Sequence, residues 1–418
     1  MSAAGPTKTL PSAEVFPRRE PKQSHVSRTL HTHVIRPEEV DDTGVAYGGE
    51  ILALIDVVGV VCAQRHSDMW GSCVTASVDA VHFLSPIRLG DTITLQATCN
   101  RAWRTSMEVG VRVEAANIRS GVMRHACQAY LTFVALSSDP SKGHSVPVPV
   151  PEVIPQTADE RRRWVEAEER REKRIAAKSG SSTTVRPSKP SPTSTSSTSP
   201  TPSTTPTLSP EPVATPTLDS PSPRSHFPSL NGRSGFSAAG PVRSSSASVT
   251  EMTHVVFPQH VNNMGNAFGG QVLKWMESCA HLSAYRHARE HVLTASMDSV
   301  HFARGIMVSD ILTIRSQTSR TWHSSLEVYV TVTVQRPASR RPGEVPRTET
   351  FLANRGYVTL VAVDSSGGKV SVPQALPRGA EEVERWKGGE ARRRERLEGR
   401  RELERREGYR EQALRGKL

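Results

Sequence analysis

The sequence predicts an α+β protein built twice over, each copy an antiparallel sheet curved around one long buried helix. Three observations carry this. First, "DDTGVAYGGEILALIDVVGVVCAQRH" from Asp41 is matched by "NNMGNAFGGQVLKWMESCAHLSAYRH" from Asn262, and the match resumes as "TASVDAVHF" from Thr75 against "TASMDSVHF" from Thr294. Second, in each copy a double glycine opens an apolar run long enough for several helical turns. Third, that run is followed by alternating stretches with the two-residue period of strands. The register shortens by only two residues between blocks, so one unit has been duplicated.

Each copy opens on a short apolar stretch closed by proline, "HTHVIRP" or "THVVFP", which reads as a strand. A polar loop follows and ends in Gly48-Gly49 or Gly269-Gly270. The next segment of copy one, "EILALIDVVGVVCAQRH", is hydrophobic nearly all round, as a helix buried on most sides must be; its counterpart is more amphipathic. Strands come next. "DTITLQATC" alternates, Met107, Val109, Val111 and Val113 share a face, and so do Leu326, Val328, Val330 and Val332. "CQAYLTFVAL" and "NRGYVTLVAV" close the sheets, and a charged helix follows each copy, at 151–174 and 373–396.

The expected organisation is an unstructured N-terminus over 1–27, a first domain with its tail helix over 28–175, a linker over 176–248, a second domain over 249–375 and a charged C-terminal helix over 376–418. The stretch 179–225 is rich in Ser, Thr and Pro and nearly free of large apolar side chains. It has too little apolar surface to offset the entropy of folding. Five cysteines (Cys62, Cys73, Cys99, Cys127 and Cys279) form no C-x-x-C and no metal-ligand spacing, which fits buried thiols in a reducing compartment and predicts no metal site. No apolar run approaches the ~20 residues that span a bilayer, so no membrane span is expected. The net charge of +11 does not imply nucleic acid, because Arg and Glu are mixed in the C-terminal stretch without interleaved aromatics. The C-terminal "RGKL" is one residue from the peroxisomal S-K-L address. The expected location is cytoplasmic, with peroxisome or mitochondrion as alternatives.

The candidate chemistry sits at polar positions inside the repeat. Asp56 lies between Ile55 and Val57 in an apolar helix, where a carboxylate is costly unless it is paired or faces a cavity. Glu277 holds the same turn in copy two, and recurrence of an acid there favours function over a structural carboxylate. In the loop before the double glycine, Asn262 stands opposite Asp41. An Asn there is a turn former or cap by default. Its neighbours Gly48, Gly49, Gly269 and Gly270 open helix N-termini, whose unpaired N–H groups suit an oxyanion. His66, His82, His287 and His301 recur without metal-ligand spacing and read as structural.

In order, these blocks resemble the hotdog-fold acyl-CoA thioesterases, and most closely the double-hotdog cytosolic acyl-CoA hydrolases. The resemblance rests on "HxNxxGNxFGGQVLKWME", "TASMD" and "SSLEV" in copy two with "TASVD" and "TSMEV" in copy one, and covers roughly 28–140 and 250–365. It implies two hotdog domains, hydrolysis of fatty acyl-CoA to fatty acid and CoA, no cofactor, and assembly as a homo-oligomer, a trimer of paired hotdogs. It also implies composite sites in which the helix acid of one unit works with the loop residue of the other. Asp56 with Asn262 fits that pattern, whereas Asp41 with Glu277 puts two acids together and predicts a weak second site. CoA contacts are implied at Ala76, Ser77, Val78, Thr105, Ser106 and Met107, and at Ala295, Ser296, Met297, Ser324, Ser325 and Leu326. By charge alone, Arg101, Arg104 and Arg320 are candidates for the CoA phosphates. Some relatives carry a lipid-binding domain after the second unit, and the 54 residues after Asp364, about half of them charged, are expected to be too few for one. The competing readings are a non-catalytic acyl-CoA-binding regulator and a hotdog enoyl-CoA hydratase. Against the hydratase, neither Tyr47 nor Phe268 is the histidine which that chemistry places before the helix.

Overall fold

The computed structural model describes residues 19–68, 73–139, 144–180, 241–337 and 348–415. Residues 1–18 and 181–240, expected to be unstructured, lie outside these, as do 416–418 of the C-terminal "RGKL". Both repeats fall in one compact unit, 1–173 with 240–418; a second unit, 174–239, lies almost wholly outside the described residues.

Copy one contributes β1 (Lys22–Gln23), β2 (Thr29–Val34), α1 (Gly48–Ser67), β3 (Cys73–Val78), β4 (Val81–Phe83), β5 (Asp91–Ala102), β6 (Ser106–Asn117), β7 (Met123–Asp139), β8 (His144–Pro147), β9 (Val153–Ile154) and α2 (Ala158–Gly180). Copy two contributes β10 (Val242–Ser244), β11 (Thr250–Val255), α3 (Gly269–Ala288), β12 (His291–Met297), β13 (Val300–His301), β14 (Ile311–Thr321), β15 (Ser325–Pro337), β16 (Thr348–Val363), β17 (Gln374–Leu376) and α4 (Ala380–Arg415). Both copies begin earlier than the expected 28 and 249. β1 pairs in parallel with β9, and β10 with β17, so the segment before each tail helix holds the leading strand. None of the described helices is long and apolar enough to cross a membrane.

The other thirteen strands of the two copies form one sheet, with β11 and β2 at the ends of the main path. The seam is built from the "TAS" blocks. β4 pairs with β12 through His82↔Ser296, and β13 with β3 through Val300↔Val78 and His301↔Ser77. On the inner face the predicted strand stripes are fully buried, Met107 through Val113 in copy one and Leu326 through Val332 in copy two. They pack with Ile51, Leu52 and Ile55 of α1 and Leu273 and Met276 of α3. The all-round hydrophobicity of α1 is thereby used on nearly every side.

The double glycines act first as helix–helix contacts. A Cβ on Gly270 would lie 2.6 Å from Asp56 Cβ and 2.9 Å from Ala53 Cα, and one on Gly49 would lie 3.0 Å from Lys274 Cα. Only glycine lets the N-terminus of each central helix touch the other helix's backbone. Lys274 Nζ and Glu50 Oε1, 2.7 Å apart, fasten the same crossing.

Both tail helices lie across the sheet's outer face and dock on it by the same device. Glu108 on β6 and Glu327 on β15 are fully buried. Arg170 of α2 grips Glu108 at 2.6 and 3.1 Å, and Arg392 of α4 grips Glu327 at 2.6 and 2.9 Å. Each guanidinium also stacks on a tyrosine, Arg170 over Tyr130 and Arg392 over Tyr357. α4 runs on past its own repeat. Arg400 donates to the carbonyls of Phe83 and Leu84, and Arg406 pairs with Glu166 of α2 at 2.9 Å.

Candidate functional site: two unequal crevices

Asp56, fully buried on α1, points at the N-terminus of the other repeat's central helix. Its Oδ2 accepts the Gly270 amide of α3 at 2.8 Å, and its Oδ1 accepts the Thr75 hydroxyl at 2.7 Å. Burial pushes the carboxyl above the ordinary aspartate value, and the Gly270 and Thr75 hydrogen bonds pull it back. Thr75 and Gly269 line a cavity of about 290 Å³ that is also lined by Asn262, Phe268, Val60 and Val272. Asp56 stands one hydrogen bond behind this lining, through Thr75, while Asn262 lines the cavity itself. Asn262 holds its own loop as well: its Oδ1 accepts from the backbone N–H of Met264 (3.0 Å) and Asn266 (3.2 Å). With the oxygen so occupied, Nδ2 is the end left to act as donor in the crevice. Two larger grooves, about 560 and 580 Å³, lie beneath the tail helices, and neither is lined by any predicted site residue.

The second crevice repeats the frame with different contents. Glu277 is fully buried on α3, and its Oε1 accepts the Thr294 hydroxyl at 2.5 Å. Oε2 has no partner in hydrogen-bonding geometry among the described residues, although the α1 N-terminus at Gly48 and Gly49 favours its ionised form. Burial nevertheless pushes this carboxyl up to about 7, with Glu50 adding a like charge. The sequence reading expected Asp41 to be the repelling acid, and the structure corrects it. Asp41 faces an imidazole instead, its Oδ2 lying 3.0 Å from His291 Nε2, while its Oδ1 accepts from Thr43 and Val45 as Asn262 does in the other loop.

The family profile described as "Thioesterase superfamily" matches twice, over residues 43–122 and 264–339. Protein VdlD of Helicobacter pylori is 34% identical over 148 residues, which is 35% of this chain and 80% of that protein. The chain belongs to the thioesterase superfamily, and it carries two copies of the hotdog domain. The rat protein named acetyl-coenzyme A thioesterase is 27% identical across 88% of this chain, and the chain spans 57% of that relative's length. The human cytosolic acyl coenzyme A thioester hydrolase is 25% identical across 86% of this chain and 80% of its own.

Several site expectations need correction within this thioesterase-superfamily frame. The Gly270 N–H, expected to hold an oxyanion, is committed to Asp56, because the two central helices cross there. Of the implied CoA contacts, Val78, Met107, Met297 and Leu326 are buried core residues, since strand alternation turns them inward. Ser77 and Ser296 are buried at the seam. Ala76 does line the crevice. Thr105 and Ser324 use their carbonyls to accept from Ala135 and Ala362 near the tail helices. Arg101 and Arg320 are likewise taken up by those helices. Arg101 pairs with Glu168 at 3.0 Å and stacks on Trp164, and Arg320 pairs with Glu390 at 3.0 Å and stacks on Trp386. Two of the predicted structural histidines are seen in that role, His66 and His287 bonding the carbonyls of Pro151 and Pro373. The sequence reading passed over Thr75 and Thr294, the residues that anchor both acids, although their identical placement in the two "TAS" blocks was a signal.

Proposed function

We propose that the protein is an acyl-CoA thioester hydrolase whose working site is the Asp56/Asn262 crevice. The observation that carries this reading is the buried Asp56 carboxylate, held by Thr75 and Gly270 directly behind a cavity that Thr75 and Asn262 line from the two repeats. Water adds to the thioester carbonyl and loses its proton to Asp56. Asn262 Nδ2 and the Gly269 amide at the helix N-terminus hold the negative charge that develops on the carbonyl oxygen. Collapse breaks the C–S bond, and Asp56 returns the proton to the CoA thiolate. The Asp41/Glu277 crevice lacks the loop amide and is the weak partner.

The test is release of CoA thiol from a series of acyl-CoA esters. Asp56→Ala should lower turnover about 10³-fold, within the range for a general base, while Glu277→Ala lowers it less than threefold. Equal losses would assign the chemistry to both crevices. Hydration of crotonyl-CoA without CoA release would replace the reading by a hydratase, and binding without turnover by an acyl-CoA sensor. Because burial raises the Asp56 carboxyl, the acidic limb of the pH–rate profile should lie above the ordinary aspartate value of 3.8. A cytoplasmic location and a homo-oligomer of paired hotdogs belong to the same proposal; sedimentation of the full chain tests the second.

A further inference from the structure

The register of the repeat identifies which side chains stand in the second crevice where the first has its cavity. Val60 and Phe268 line the first cavity. The block alignment that pairs Asp56 with Glu277 places His281 at the position of Val60 and Tyr47 at that of Phe268. In the first crevice these two positions face a common space. In the second they face each other, the Tyr47 and His281 rings packing edge to face with centroids 5.4 Å apart. One ring comes from the residue before α1 and the other from the fourth turn of α3, so their contact bridges the gap between the two repeats.

A second contact closes the rim. His291, at the start of β12, places Nε2 3.0 Å from Asp41 Oδ2 and 3.4 Å from the Thr43 hydroxyl, with Nδ1 3.6 Å from Asp42 Oδ1. The alignment anchored on Thr75 and Thr294 puts Ser72 at this position in copy one. Copy two is the one that lost two residues before its "TAS" strand, and the shorter connection ends on this imidazole. Tyr47 lies within the fields of both Asp41 and Glu277, so the edge-to-face pair sits between the loop and the helix acid. Burial, helped by the neighbouring His291, lowers His281 to about 4, so this ring is neutral at physiological pH and packs as an aromatic body.

We propose that Tyr47, His281 and His291 form a plug that seals a latent second acyl-CoA site, and that His281 is the residue that excludes the acyl chain. The proposal rests on the thioesterase reading above, and adds a steric cause to the missing loop amide. The plug acts on binding, so it is separable from catalysis: an unplugged second crevice should take up ligand whether or not Glu277 can hydrolyse it.

The experiment counts binding sites per chain with a non-hydrolysable S-alkyl-CoA thioether by titration calorimetry. The wild-type full chain should bind one molecule. The variant Tyr47→Phe/His281→Val/His291→Ser, which installs the residues that stand at the matching positions of the first crevice, should bind two, with Asp56-dependent turnover within twofold of wild type. One molecule per chain in both proteins overturns the plug while leaving the thioesterase reading intact. Two per wild-type chain overturns it as well. A wild-type chain that binds none sinks both. Should the triple variant fail to fold, Val60→His/Phe268→Tyr carries the same test in reverse: sealing the first crevice should weaken the single site at least tenfold, and unchanged affinity overturns the plug.

Discussion

The two tail-helix clasps and the two crevices are products of one duplication, and they have had opposite fates. Arg170 on Glu108 beneath Tyr130 is matched nearly atom for atom by Arg392 on Glu327 beneath Tyr357. Asp56 with Asn262 is answered by Glu277 with Asp41, and the space lined by Val60 and Phe268 by the His281–Tyr47 contact. The physical difference is what each feature must satisfy. A buried carboxylate without its guanidinium is an uncompensated charge in either copy, so neither clasp tolerates drift. A composite crevice needs only one complete set of donors and acids, and the other set is released from that demand.

The largest expected effect breaks the clasp. Arg170→Ala removes the bidentate guanidinium from the fully buried Glu108 and should cost about 3–5 kcal/mol in urea unfolding. Arg392→Ala, which removes the matching guanidinium from Glu327, should cost a similar amount. A loss in only one of the two variants would break the equivalence of the clasps.

Glu277→Gln sharpens the crevice side. A carboxyl held near 7 in the folded chain and at 4.5 unfolded stabilises the fold below pH 4.5, and that contribution is lost as pH rises through 7. The glutamine variant should therefore gain up to about 3 kcal/mol over wild type at pH 8, and nothing at pH 4. A gain that does not change with pH would show that Glu277 does not titrate with folding. Asn262→Ala should lower turnover about 10²-fold, as loss of one oxyanion donor does, while Asp41→Ala leaves it within threefold; the reverse pattern would exchange the crevices. The smallest expected effect is on orientation. Thr75→Val should lower turnover about tenfold, the order of one lost hydrogen bond to a charged group, and Thr294→Val should leave it unchanged.

The repeat made the fold readable. A double glycine, an all-round apolar helix and two-residue alternation are local signals, and each appeared twice. The acids were readable for the same reason, since Asp56 and Glu277 break an otherwise apolar face. What the sequence concealed is which helix end faces which acid. No spacing within a copy reveals that the Gly270 amide crosses to Asp56, because that hydrogen bond spans 214 residues. The "TAS" and "TSM" blocks misled for a related reason. They are similar in both copies and look like ligand contacts, but alternation and seam pairing bury most of their side chains. The arginines beside them look unpaired until the tail helices, some 65 residues downstream, supply Glu168 and Glu390.

The reach of α4 back onto copy one, through Arg400 and Arg406, bears on how this protein behaves on dilution. Two separate subunits that share a site come apart as concentration falls, and their activity per subunit falls with it. Here both halves of the Asp56/Asn262 crevice belong to one covalent chain, and the last helix fastens to the first repeat. Pairing is intramolecular, at an effective concentration in the millimolar range that no assay dilution can lower. Specific activity at that crevice should accordingly stay constant from micromolar to picomolar protein.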